Sequence, residues 1–190
     1  MPKQSARETK LARAALALAA KKPWQNVTLD QIVSSAKLPP KEIKKKYKNA
    51  EELLPVIVKL IDTETAARVR IRDRKAPTHD RLFEVMMARF DSLQSHRKGI
   101  VSIMKAAKTN PSIIAIIFRS LMTSMQHMLR LAHMERKGTR GNLQQIGLFS
   151  IYHMALWRWK NDPTPDLART MPIIDRTIRL GSKIMHHLDK

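Results

Sequence analysis

Six lysines, Lys37, Lys41, Lys44, Lys45, Lys46 and Lys48, fall within a short stretch that contains one acid, Glu42. Ammonium groups this close repel one another and weaken the folded state unless an anion neutralises them. A lysine amine is a three-donor point charge that suits phosphate oxygens. The commonest partner to reward such a run is a phosphate backbone. A solvated surface run is the competing reading, and for Lys44–Lys46 alone it is the more ordinary one.

The flanking residues weaken that bland reading, because they place the run on the second helix of a pair. Thr28, with Gln31 three residues on, is an N-cap signal. Leu29, Ile32, Val33 and Ala36 then give one short helix its apolar face. Lys37-Leu38 makes a turn, and Pro39 and Pro40 open the next helix, where a missing amide hydrogen costs little. Ile43 and Tyr47, four apart, share a face of that second helix. Asn49 and Glu52 cap the third helix. Two short helices at a tight turn, the second cationic, is the layout that sets a helix in the DNA major groove.

The charge of the whole chain agrees. Net charge is +20 over 190 residues, with 18 basic and 8 acidic residues in 1–75 and the same numbers in 76–190. A field of this size favours polyanions, whether nucleic acid or an acidic membrane surface. Cysteine is absent, which removes disulfides and thiolate metal ligands and fits a reducing, cytoplasmic setting. No signal-type apolar region opens the sequence and no run approaches 18 apolar residues, so no stable membrane insertion is expected. Few glycines and abundant Ala, Leu, Met, Lys and Arg favour helix.

The remaining elements are read from periodicity. Residues 1–9 read as a polar tail, and a first helix of about twelve residues starts near Lys10 and ends at Lys21–Lys22 before Pro23. Trp24 is expected to plug the small core of the head. A long helix from Asn49 carries Leu53, Leu54, Ile57, Leu60 and Ile61; Pro55 reads as too deep for a helix start and predicts a bend. Arg68, Arg70, Arg72, Arg74 and Lys75 crowd its end. Further helices are expected over 79–94, 97–108, from Pro111 past Arg130, 142–160, and from Pro165 to about His187, with Pro172 bending the last. The segment after Pro111 is apolar nearly all round and predicts a central position. Residues 135–141 read as a loop. The expectation is an all-α protein of about nine helices: a three-helix head with a helix-turn-helix over 1–50, and a helical bundle body over 51–190 for ligand binding and dimerisation. The helices of 142–190 are apolar enough to need cover and predict a homodimer contact.

The N-terminal pattern resembles the TetR (tetracycline-repressor-like) family of one-component regulators. The matching positions are Ala14-Ala15, Leu18-Ala19, Pro23-Trp24, Thr28-Leu29, Ile32-Val33, Ala36-Lys37-Leu38, Ile43-Lys44, Lys46-Tyr47, Asn49-Ala50-Glu51 and Leu53, in one register without a gap. Pro23 and Lys37 stand where the family usually has glycine, Lys44 where it often has tyrosine, and Ala50 where a phosphate-binding lysine is common. The resemblance implies double-stranded DNA as partner, with Thr28, Pro39, Pro40, Lys41, Lys44, Lys45 and Lys46 facing it. Thr28 would offer its amide and hydroxyl to phosphate. The residues near the turn would face base edges, where proline offers apolar contact alone.

The body segments 80–100 and 157–178 are also similar to a branch of TetR-fold proteins that includes the lipid-binding accessory protein of ubiquinone biosynthesis. That likeness implies an alternative, an isoprenoid- or lipid-binding accessory protein. No catalytic constellation, cofactor motif or metal-ligand spacing is present, so the chain reads as a non-enzyme without cofactor or metal. His127, His133 and His153 read as core or boundary histidines before they read as ligands. Methionine adapts to irregular shapes, and Met86, Phe90, Met122, Met125 and His153 are the side chains from which an apolar pocket would be built. The functional expectation is a homodimeric repressor, released when a small apolar or lipid effector shifts the spacing of its heads.

Overall fold

The computed structural model describes residues 2–70 and 75–188, with side chains omitted for 2–5 and 182–188. Among these residues the chain is built of helices without a strand: α1 Pro2–Ala19, α2 Leu29–Ala36, α3 Pro40–Lys46, α4 Leu54–Arg68, α5 Thr78–Ser95, α6 Arg97–Ala107, α7 Pro111–Leu131, α8 Gly138–Lys160 and α9 Met171–Leu188. Single 3-10 turns occupy Trp24–Asn26 and Glu51–Leu53. The all-α architecture with nine α-helices is the one expected.

Two compact units divide the chain. One comprises Met1–Ile61 with Ser95–Ser120, and the other Asp62–Gln94 with Leu121–Lys190.

In the first unit a continuous apolar cluster joins Leu11, Leu16, Trp24, Ile32, Val33, Ile43, Tyr47, Leu53, Ile57, Ile103 and Ala106. Trp24 is the plug that the sequence implied, 2% exposed. Its amide donates to Ser102 Oγ at 3.0 Å, and Ser102 Oγ donates to the Lys22 carbonyl at 3.3 Å, so α6 is pinned to the turn after α1. The approach of α6 to α1 depends on Gly99: a Cβ there would lie 2.5 Å from the Leu16 carbonyl oxygen. That neighbour is backbone and cannot swing away.

In the second unit Met86, Phe90, Met125, Met128, Tyr152 and Trp159 are buried together with Ile174 and Ile178. Phe90 meets Tyr152 and Trp159 with ring centroids 5.7 and 6.4 Å apart. Arg89, 1% exposed, donates to Asp62 Oδ1 at 2.5 Å and lies 5.2 Å from the centre of the Tyr152 ring. Ser124 Oγ donates to the same Asp62 oxygen at 2.5 Å. A buried guanidinium is tolerated because a carboxylate and an aromatic face accept its charge.

Several boundaries differ from expectation for identifiable reasons. α1 begins at Pro2, so residues 2–9 are helix and not a polar tail, and it ends at Ala19. Because Glu51–Leu53 is a separate 3-10 turn, Pro55 is the second residue of α4, where its missing N–H has no partner to lose. α8 starts at Gly138, whose φ of +65° a glycine adopts without strain, so part of the supposed 135–141 loop is helical. α9 starts at Met171 and not at Pro165, which puts Pro172 in the first turn as well.

The intervening turn is held by Asp162, which is fully buried. Its Oδ1 accepts from the Thr164 amide (3.0 Å) and hydroxyl (2.5 Å), and its Oδ2 from the Arg169 amide (3.0 Å) and the Thr170 hydroxyl (2.8 Å). α7 is the other departure. It carries buried Ile113, Met125 and Met128, yet Ile114 and Phe118 are about half exposed, so its first turns lie at a surface. It is also long and apolar enough to cross a membrane by length and composition, because a mean hydropathy of 1.2 tolerates the Arg119, serines and threonine that interrupt the apolar run.

Gly99→Ala is expected to overpack the α1–α6 contact and lower stability by about 1–3 kcal/mol, read as a lower urea midpoint at constant slope. Burial alone would raise the Asp162 carboxyl, but its four donors hold it down to about 2. Its folded-state pKa lies below the unfolded one, so its contribution is complete above about pH 4 and fades as pH falls toward 2. Asp162→Asn therefore destabilises at pH 7 by about 2 kcal/mol, with the two proteins converging near pH 2 in pH-dependent urea melts.

Candidate nucleic-acid interface

The geometry of α3 is set from below. Thr28 opens α2 with a reciprocal capping box: its Oγ1 accepts the Gln31 amide (3.3 Å) and its own amide donates to Gln31 Oε1 (3.1 Å). α2 ends at Lys37, which holds the left-handed conformation (φ 52°, ψ 47°) most often taken by glycine. The Leu38 amide donates to the Val33 carbonyl at 3.3 Å, completing the stop. Pro39 is the N-cap of α3 and Pro40 its first residue, both exposed. Ile43 and Tyr47 are 6% and 7% exposed. Burying that edge turns Lys41, Lys44, Lys45 and Lys46 outward, and all four are exposed. After the helix, Asn49 Oδ1 accepts the Glu52 amide (3.0 Å) and Glu52 accepts the Lys48 amide (2.9 Å). Asn49 does not cap the long helix as expected: the 3-10 turn Glu51–Leu53 intervenes, with Ala50 at its N-cap, and α4 starts at Leu54.

The lysines are not equivalent. Lys44 Nζ lies 2.6 Å from Asp30 Oδ1. Lys46 Nζ lies 2.6 Å from Glu8 Oε1 and 5.1 Å from the centre of the Tyr47 ring. Lys59 Nζ approaches Glu8 Oε2 at 3.1 Å, and Arg7 pairs with Glu42. Glu8 on α1 therefore joins the end of α3 to α4. Partial burial would raise its carboxyl, but bonds from Lys46 and Lys59 hold it below the ordinary value. The bond to Glu8 correspondingly raises Lys46. Lys41 and Lys45 form no ion pair among the described residues and present free amines.

The sequence-derived site is thus gathered on one helix and its entry turn, except that Thr28 lies at the start of α2. The Thr28 amide is already used by Gln31, which leaves its hydroxyl hydrogen to offer. Sequence reasoning missed Glu8, and took Arg7 as a cation of a polar arm that could lie along DNA, where the structure pairs it with Glu42 on α3. Read as a tail, 1–9 gave no reason for Glu8 to meet a residue 38 positions away; its spacing of three from buried Leu11 was the available signal.

The other candidate residues lie in the second unit. Met86, Phe90 and Met125 are wholly buried and Met122 is half-buried, its carbonyl accepting from Gln145 Nε2 at 2.5 Å. His153 does not join them: it is exposed on α8 and stacks near Phe149, 6.2 Å between ring centres. Among the described residues no group of three His, Asp or Glu side chains is placed to hold a metal. Arg72 and Arg74 of the basic run lie outside the described residues.

No family model matches the sequence, and no curated protein matches it. Solved structures do match the fold. A TetR transcriptional regulator from Nitrosomonas europaea superposes with a TM-score of 0.72 at 17% identity, over 93% of this chain and 98% of that one. A TetR transcriptional regulator from Rhodococcus sp. RHA1 gives 0.65 at 16%, over 96% and 97%. A TetR-family transcriptional regulator from Streptomyces coelicolor gives 0.61 at 17%, over 96% and 82%. The chain has the TetR-regulator fold over nearly its whole length.

Glu8→Gln tests the electrostatic account of the clamp. Exposed pairs of this kind contribute at most about 1 kcal/mol, so the expected loss at pH 7 is small. Because the Glu8 carboxyl is held low, the difference from the parent is present at neutral pH and disappears as pH falls through the carboxylate range. Thermal melts at pH 7 and pH 3 check it.

Proposed function

We propose that the chain is a cytoplasmic DNA-binding transcriptional regulator that acts as a homodimeric repressor through α3. The observation that carries this reading is the orientation of α3: Ile43 and Tyr47 are buried while Lys41, Lys44, Lys45 and Lys46 face solvent. Lys41 and Lys45 serve as phosphate contacts, and Pro39 and Pro40 supply apolar contact to base edges. Lys44 and Lys46 exchange an acid for a phosphate on binding. Residues 1–50 are the reading head and 51–190 the body in this proposal.

A dimer through 142–190 is supported by α8, which exposes Leu143 (43%), Ile146 (53%), Met154 (49%) and Trp157 (66%). The spacings within each pair, three residues, keep its members on one side of the helix, and Met171 and Leu180 are exposed on α9. A second copy of the same pair of helices would bury them in a four-helix contact. The effector is proposed as a small apolar molecule taken up around Met86, Phe90 and Met125, acting by favouring a head spacing that fits DNA less well. The solved structures that share the fold are transcriptional regulators, and no observation favours the lipid-accessory alternative or an enzymatic role.

Selection of duplexes from a random pool, followed by anisotropy titration at two salt concentrations, tests the reading. The expected result is sequence-discriminating binding that weakens steeply with salt, and that Lys41→Ala/Lys44→Ala/Lys45→Ala reduces by about a hundredfold or more. Ile146→Glu/Trp157→Glu should convert the dimer to monomer in light scattering. Equal affinity for all duplexes, or a monomeric parent that binds DNA unchanged, contradicts the proposal.

A further inference from the structure

The first unit contains a cleft of about 890 Å³, within the roughly 300–1,000 Å³ usual for small-molecule sites. Trp24, Tyr47, Ala106 and Ile113 line its depth and are all buried. Gln25, Lys48, Asn49 and Thr109 are exposed and form its rim. The charged residues of the lining divide into a closed pair and an open one. Lys44 Nζ meets Asp30 Oδ1 at 2.6 Å, so each answers the other. Lys48 forms no ion pair among the described residues. Glu51 meets no cation either: its Oε1 accepts from Asn110 Nδ2 at 3.0 Å, a neutral donor. Asn110 is itself held, its Oδ1 accepting the Ser112 amide at 3.0 Å, so the Glu51 carboxylate has a fixed place. Asn49 uses its Oδ1 for the Glu52 amide and keeps its Nδ2 hydrogens to offer. The cleft therefore presents an unneutralised cation with an amide donor beside it, an unneutralised carboxylate, and an apolar base.

We infer that this cleft binds a small zwitterion with an apolar body: a free α-amino acid with an apolar side chain, its carboxylate on Lys48 and the Asn49 amide and its ammonium on Glu51. The pattern of charge selects the class. A monoanion that answers Lys48 leaves Glu51 facing a like charge, and a monocation meets the same obstacle at Lys48. Like charges juxtaposed across a site suppress the wrong partner. A polyanion fits less well still, because the wall of Ala106, Thr109, Asn110 and Pro111 carries no cation. A zwitterion answers both groups at once, and the buried side chains take its apolar remainder out of water. Lys48 and Glu51 line one cleft without pairing with each other, so neither is quenched before a ligand arrives. The inference does not depend on the DNA-binding reading of α3. On that reading the two meet: Thr28 and Lys44 belong both to the cleft and to the surface proposed for DNA, so an occupied cleft competes with duplex.

The test is isothermal titration calorimetry of the full chain without DNA, using free L-valine, L-leucine, L-isoleucine, L-methionine, L-phenylalanine and L-tryptophan. The tightest binder is then compared with its two single-charge analogues, one lacking the amine and one lacking the carboxylate. Lys48→Met and Glu51→Gln are set against the parent and against Lys105→Met, which removes an exposed cation that does not line the cleft. Glutamine keeps an acceptor for Asn110, and thermal melts establish that every variant is folded. The expected result is saturable binding of at least one amino acid and severalfold weaker binding of both analogues. Lys48→Met and Glu51→Gln each weaken the amino acid severalfold, whereas Lys105→Met leaves it unchanged. Lys48→Met does not weaken the amine analogue, nor Glu51→Gln the acid analogue, which separates charge recognition from a general loss of shape. No binding of any of these amino acids to the folded parent overturns the inference. So do analogues that bind as well as the amino acid, or cleft variants that match the control. None of these outcomes touches the α3 reading.

Discussion

The burial of Ile43 and Tyr47 is the contact on which the interface depends. A seven-residue helix has about two turns, so fixing one edge fixes where every other side chain points. Burying an isoleucine side chain contributes about 1.5–3 kcal/mol, far more than any exposed ion pair nearby. Apolar packing therefore decides the orientation, and the lysines occupy the directions left over. The same core holds Trp24, Leu53 and Ile103, so the presentation of α3 is as rigid as the unit that carries it.

Around that anchor the molecule balances a self-repelling charge run. Asp30 and Glu8 each take one lysine of α3, and Arg7 takes its one acid, Glu42. These pairs are partly exposed and individually weak, but they divide the run into engaged and free amines. An engaged amine must give up its carboxylate before it meets a phosphate, which tempers affinity. A free one has no such cost. On the DNA-binding reading, the first unit thereby stays folded while the amines of Lys41 and Lys45 remain available. The second unit handles charge differently, burying Arg89 against Asp62 and Tyr152 and Asp162 within its turn.

What the sequence disclosed was local. The capping of α2 by Thr28, the stop at Lys37 and the prolines at the start of α3 all depend on residues within a few positions of one another, and each formed where expected. The burial of the Ile43–Tyr47 edge came from spacing, and that of Trp24 from its place beside Pro23. What stayed hidden was contact across distance. The Glu8 clamp joins residues 38 apart. Asp162 recruits Arg169 and Thr170 and so delays α9 past Pro165, a proline that by itself looked like a helix start. The exposed first turns of α7 were misjudged because an apolar sequence does not say which neighbours arrive to cover it. His153, assigned to a pocket by its apolar setting, lies on the solvent side of α8 because periodicity there is shared between a core face and an exposed apolar stripe.

The central claim, that α3 meets DNA through amines left free by its own fold, is most directly tested by lysine acetylation read by mass spectrometry with and without the selected duplex. The account predicts that in the free protein Lys41 and Lys45 react faster than Lys46, and that duplex protects Lys41 and Lys45 severalfold. Equal reactivity of all α3 lysines, or no protection of Lys41 and Lys45 under conditions where the duplex is bound, would contradict it.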